Sequence, residues 1–163
     1  MKTASRILGR SIPVLGFTAL VGCGGPAYDP NSPEGQAYES RYSTMEEAGT
    51  RMELINNMAR EEIPLDEAAF ETAVVELASL TMRMPEGFAE AWIVPGSRAD
   101  PIIWDNKADF DSRMDAAIEA TATLAEVVQN QGFAAAQQIV VTNPTTSSNC
   151  SGCHNTYRLP EED

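Results

Sequence analysis

From about Glu34 to Arg60, the apolar residues Tyr38, Met45, Ala48, Met52, Ile55 and Ala59 keep to one face of a 3.6-residue period, which predicts an amphipathic helix. "EEIPLD" interrupts that stripe. Its Asp66, followed by an acidic first turn, has the character of an N-cap. Phe70, Ala73, Val74, Leu77, Leu80 and Met84 form a second stripe that stops at Pro85. Residues 85–102 hold three prolines and two glycines and predict a long connection, of the kind used as a crossover or a functional flap. A third helix is predicted from about Ile103 to Asn130, with Trp104 and Phe110 in the core and Gly132 as its stop. The last helical region runs from near Phe133 to near Arg158. Asn143-Pro144 inside it predicts a break near residues 142–144 and a fresh helix capped by Asn143, because a proline removes a donor and clashes with the preceding turn. No segment alternates with the period of a strand. Four helices with an extended middle connection predict an all-α, antiparallel four-helix bundle.

The N-terminus follows a different pattern. Lys2, Arg6 and Arg10 precede an apolar run over residues 11–22 that is short for a bilayer span, the order of an export signal. The run ends in "LVGC", which resembles the bacterial lipobox and makes Cys23 the expected lipid-modified N-terminus after cleavage. An ordinary secretory signal or an uncleaved anchor would leave Cys23 a simple thiol. Residues 23–36, rich in glycine and proline, read as a flexible tether reaching roughly 20 Å. The predicted organisation is therefore a signal over 1–22, a tether over 23–36 and a helical domain over 37–163, exported and held at a membrane in the bacterial periplasm.

Charge narrows the partners. The chain holds 24 Asp+Glu against 11 Lys+Arg, and loss of residues 1–22 leaves 8 Lys+Arg, a balance of −16. Such a surface repels phosphate backbones, so nucleic acid is not an expected partner, whereas a basic protein is.

The chemistry concentrates in "CSGCH", Cys150 to His154, which contains the chain's one histidine. Three readings compete for it. Structural zinc wants four N/S ligands, and two cysteines with one histidine leave the set short. A thioredoxin-like pair belongs at the start of a helix in a βαβ unit, and no strand is predicted. Covalent haem attachment accounts for all three residues and their order. Thiols three residues apart on a helix stand one turn apart on one face, placed to add to the two vinyl groups of haem, and the next residue supplies the axial imidazole. Cys150 and Cys153 are thus the expected attachment points of one haem c, and His154 the expected iron ligand. Maturation of such haem outside the cytoplasm agrees with the export signal. A structural helical module with no cofactor would leave the motif unexplained.

With "CSGCHNTYR" near the C-terminus, together with "RYSTM" (41–45), "EIPLDEAAF" (62–70), "MPEGF" (84–88) and "IIWDNKADFDSRM" (102–114), the chain resembles the class II c-type cytochromes, typified by cytochrome c-prime. The resemblance runs from about Arg41 to Arg158 and implies the same four-helix bundle. It also implies roles for four more cofactor-binding residues. Arg41 matches the arginine facing a haem propionate, Tyr42 lies at the haem edge, Met45 matches the distal residue over the iron, and Arg158 follows the haem helix near the proximal side. The proline-bearing segment 141–149 and the lipid anchor depart from the family's usual pattern.

Two functions follow from the resemblance. With an open or Met45-shielded distal side, the protein would bind small uncharged gases, NO or CO, and carry electrons. With Met45 as sixth ligand, it would be a low-spin electron carrier closed to gases. Neither needs a protein acid or base, no convincing catalytic pair is visible, and the chain is not read as an enzyme. The resemblance also implies a homodimer through the first two helices.

Overall fold

A computed structural model describes residues 27–142 and 145–161, so Cys23 and the expected cap at Asn143 lie outside the described residues. The elements are α1 (Pro33–Ala59), α2 (Glu67–Arg83), a 3₁₀ turn (Met84–Phe88), α3 (Ile102–Asp105), α4 (Lys107–Gln131), α5 (Phe133–Thr142) and α6 (Thr145–Tyr157). The arms α1, α2, α4 and α5 with α6 run alternately up and down, with α1 against α2, α2 against α4, α4 against α5 and α6, and α5 closing back on α1. This is the antiparallel four-helix bundle predicted from the stripes.

Local chemistry fixes the helix ends. Ser32 caps α1 by accepting from the Gly35 amide, and Asp66 caps α2 by accepting from the Ala69 amide at 3.1 Å. α1 ends in a Schellman turn. The Glu61 amide donates to the Met58 carbonyl and the Glu62 amide to the Asn57 carbonyl, with Glu61 held at a φ of 62°. Gly132, at a φ of 80°, stops α4.

Two expectations need correction. The segment predicted as a tether over 23–36 is docked from Tyr28 onward. Tyr28 packs edge-on to Tyr38 with centroids 4.9 Å apart and bonds to Glu39, and α1 already begins at Pro33, because Ser32 supplies a cap and Pro33 sits where a helix tolerates proline. The third helix is two pieces, since Asn106 at φ −117°, ψ 39° breaks the turn between α3 and α4.

Ile55, Phe70, Leu77, Ile103 and Leu124 are essentially fully buried, each stabilising the fold by about 1.5–3 kcal/mol relative to exposure. The buried Thr81 and Thr121 hydroxyls share a 2.7 Å hydrogen bond between α2 and α4. Among the described residues, no buried side-chain nitrogen or oxygen lacks a hydrogen-bond partner.

One end of the bundle, here the loop end, gathers the start of α1, residues 84–106 and the C-terminal tail. Arg41 bonds to the Gly87 and Trp92 carbonyls, the Trp104 indole donates to the Phe88 carbonyl, and Ala99 bridges to Arg158. The opposite, turn end holds residues 60–66 and Gly132.

Candidate haem-attachment site

α6 carries the C-x-x-C-H motif and is registered on α4 by side chains outside it. Tyr157, buried, donates its hydroxyl to the Asp109 carboxylate at 2.6 Å. Arg113 bonds to the same carboxylate at 2.7 Å, reaches the Gly152 carbonyl at 3.2 Å and lies over the Tyr157 ring. Phe110 meets that ring edge-on, and Asn149 donates to the Ala116 carbonyl at 3.0 Å. The Tyr157 hydroxyl first, then Arg113, hold the Asp109 carboxyl below its usual range, and the same hydrogen bond pushes the Tyr157 phenol up.

Cys150 and Cys153 form no disulfide with each other and are partly buried on adjacent turns of α6, and Cys153 packs against the hydrophobic core. Burial raises both thiols, with Arg113 opposing at Cys153. His154 is half-buried. Burial first, then Arg158 and Arg98, lower the pKa of its imidazole. Two thiols one turn apart and an adjacent imidazole are the donor set that haem c requires, so the residues present fit the group. Among the described residues, no group of three or more His, Cys, Asp or Glu side chains is arranged to hold a bare metal ion.

The C-terminal tail is stitched to the middle loop. The Asp100 amide donates to the Tyr157 carbonyl at 3.1 Å, the Leu159 amide to the Arg98 carbonyl at 2.8 Å, and the Arg98 guanidinium to the Leu159 carbonyl at 2.9 Å. Arg158 itself is exposed, and its amide donates to the His154 carbonyl.

On α1 the expected residues separate. Arg41 is buried. Its two terminal nitrogens donate to the carbonyls of Gly87 at 2.8 Å and Trp92 at 2.7 Å, with its guanidinium over Phe88, and burial lowers its pKa. It therefore clasps the middle loop. Gly87 makes the approach possible, since a Cβ there would stand 2.6 Å from the Arg41 Cγ. Met45, one turn on, is half-buried and packs against the core, whereas Tyr42 is exposed and stacks on Tyr38 at 6.0 Å. Sequence reasoning missed Gly87, Arg98, Asp109 and Arg113. The Asp109–Arg113 pair was readable as an i,i+4 ion pair, while the clasp and the tail stitch join residues far apart in sequence.

Known proteins resemble this chain in sequence and in fold. The family model described as cytochrome c′ matches residues 36–158. A cytochrome c-556 of Agrobacterium fabrum is 32% identical over 123 residues, covering 74% of this chain and 80% of the relative. The cytochrome c prime of Shewanella frigidimarina superposes with a TM-score of 0.71 at 28% identity, over 78% of this chain and 97% of that one. A ferrous variant of the cytochrome c prime of Alcaligenes xylosoxidans with bound NO superposes with a TM-score of 0.69 at 18% identity, over 78% and 97%, a likeness of fold. With a family match across the whole bundle and a donor set suited to the group, the chain belongs to the cytochrome c′ family and carries one covalently bound haem c.

Proposed function

We propose that the protein is an exported haem c electron carrier in which Cys150 and Cys153 hold the haem, His154 is the proximal iron ligand and Met45 is the sixth ligand. Bound haem supplies the one-electron iron couple, and the chain's residues set its surroundings. Burial, Arg158 and Arg98 all disfavour the protonated imidazole of His154, which suits it to offer its lone pair. The Asp109–Arg113–Tyr157 network keeps α6 in register with α4. The observation that carries the carrier reading is the placement of Met45. α1 turns three methionines inward, Met45, Met52 and Met58, and of these Met45 lies one turn from the buried Arg41, at the position the family resemblance gives the distal residue. Tyr42 and Arg158 take the haem-edge and proximal-side positions implied by the family resemblance, and Arg41 reaches a propionate only by sharing donors now given to the loop. No acid–base catalysis is assigned to the chain.

In this reading residues 1–22 direct export, Cys23 carries the lipid, and the acidic bundle meets a basic redox partner in the periplasm. A second reading, binding of NO or CO at an open sixth position, draws on the NO-bound Alcaligenes protein of the same fold. The ferric spectrum separates them. The carrier reading predicts a low-spin ferric protein that Met45→Leu converts to high spin, with CO then binding the ferrous variant. A high-spin wild-type spectrum would give the site to the gas reading.

A further inference from the structure

Three independent features single out the loop end of the bundle. The first is the chain's exit. Because Tyr28 is docked on Tyr38 and Glu39, only four residues separate Cys23 from a fixed point, a reach of at most about 18 Å when fully extended. A lipid at Cys23 thus holds this end close to its membrane, where a free tether of a dozen residues would let the domain roam. Tyr38 in turn stacks on Tyr42, and Arg41 beside it holds the Trp92 carbonyl, so the leash ends next to the middle loop.

The second feature is exposed apolar surface. Of the nine large apolar side chains exposed among the described residues, six belong to this half of the bundle: Tyr42, Met82, Trp92, Ile93, Ile102 and Leu159. Trp92 is 38% exposed although its backbone is fixed by Arg41, and tryptophan and tyrosine are the side chains that settle at a membrane–water interface.

The third is charge. The turn-end half, residues 46–76 and 115–142, holds twelve Asp+Glu against two arginines. The loop-end half, residues 27–45, 77–114 and 145–161, holds ten against six Lys+Arg. A surface bearing anionic lipid repels the first half far more than the second.

We propose that the loop end lies against the lipid surface in which Cys23 is anchored, with Trp92, Ile93 and Ile102 entering the interface. This rests on the lipid-anchor reading and adds an orientation to it: α6 with its haem motif, tied to this end through Arg98, Tyr157 and Leu159, faces the membrane, and the acidic turn end faces away. A short leash and an interfacial patch together give the two signals that stable membrane attachment needs.

The test uses the haem-loaded chain beginning at Cys23, coupled through that thiol to maleimide lipid in phosphatidylcholine and phosphatidylglycerol vesicles, so that natural lipidation is not required. Amide exchange is compared with the same protein capped by N-ethylmaleimide in solution. The expected result is slowing of about tenfold or more across residues 90–103 on vesicles, with residues 61–66 unchanged, and loss of most of that slowing in Trp92→Ser/Ile93→Ser. Should that pair fail to fold, Ile93→Ser with Ile102→Ser serves the same purpose. Equal exchange on and off vesicles, slowing at residues 61–66 instead, or slowing of 90–103 in solution as protein concentration rises (a second copy covering the patch) overturns the proposal. The N-terminal mass of the native protein tests the lipid separately. An unmodified Cys23 there would sink the anchor while leaving the exchange result to be judged by itself.

Discussion

Two residues are held in conformations or spaces that a different side chain would not share. Glu61 occupies the left-handed C′ position of a Schellman turn, where a Cβ is unfavourable and glycine is the usual choice. Glu61→Gly is expected to raise the free energy of unfolding by about 0.5–1 kcal/mol, since relief of strain outweighs the added freedom of the unfolded chain. Urea titration checks this, and a loss of stability would mean that the Glu61 side chain contributes more than its backbone costs. Gly87 lies under Arg41, and the guanidinium is fixed at both terminal nitrogens, so the side chain has little freedom to retreat. Gly87→Ala is expected to cost about 1–3 kcal/mol by overpacking and to loosen residues 87–92, read as faster amide exchange there. Unchanged stability and exchange would show that the clasp yields without cost. The partners of Arg41 were not legible in the sequence, because they lie on a loop about fifty residues away and are backbone carbonyls, which leave no mark in residue identity.

At the scale of elements, α6 with its C-x-x-C-H motif depends on α4. The Tyr157 and Arg113 contacts hold the Asp109 carboxyl below its ordinary range, so its ionised form adds stability that is present above the unfolded carboxylate pKa and is lost as pH falls through the lower, folded one. Asp109→Asn is therefore expected to melt at a lower temperature than the parent at neutral pH. The gap should narrow on acidification into the carboxylate range and shrink in high salt, because the carboxylate is exposed. A gap independent of pH would assign the effect to packing. The long helices themselves were legible from their stripes, and Asp66 and Gly132 from their residue types. The α3–α4 break at Asn106 was not, since Ile103 and Phe110 on either side of it keep one helical phase, seven residues apart. The early start of α1 was masked by a composition typical of linkers, although Ser32 and Pro33 formed a readable cap.

On the whole-molecule scale, an up-and-down bundle with one long connection brings the first, middle and last segments of the chain together at the loop end. There Arg41 fixes the middle loop, the loop fixes the C-terminal tail, and the tail continues from the haem motif. The cysteines and histidine of that motif were legible from spacing alone, because thioether attachment and axial ligation impose a fixed order on three residue types. What spacing could not convey is that both cysteines and the imidazole sit in a partly buried setting. Attachment of haem at Cys150 and Cys153 is tested most directly by mass. Trypsin cleaves after Arg113 and Arg158 and releases Met114–Arg158 as one peptide. From native protein that peptide is predicted to weigh more by one haem, with neither cysteine open to alkylation. A peptide of unmodified mass whose Cys150 and Cys153 alkylate freely would contradict the account.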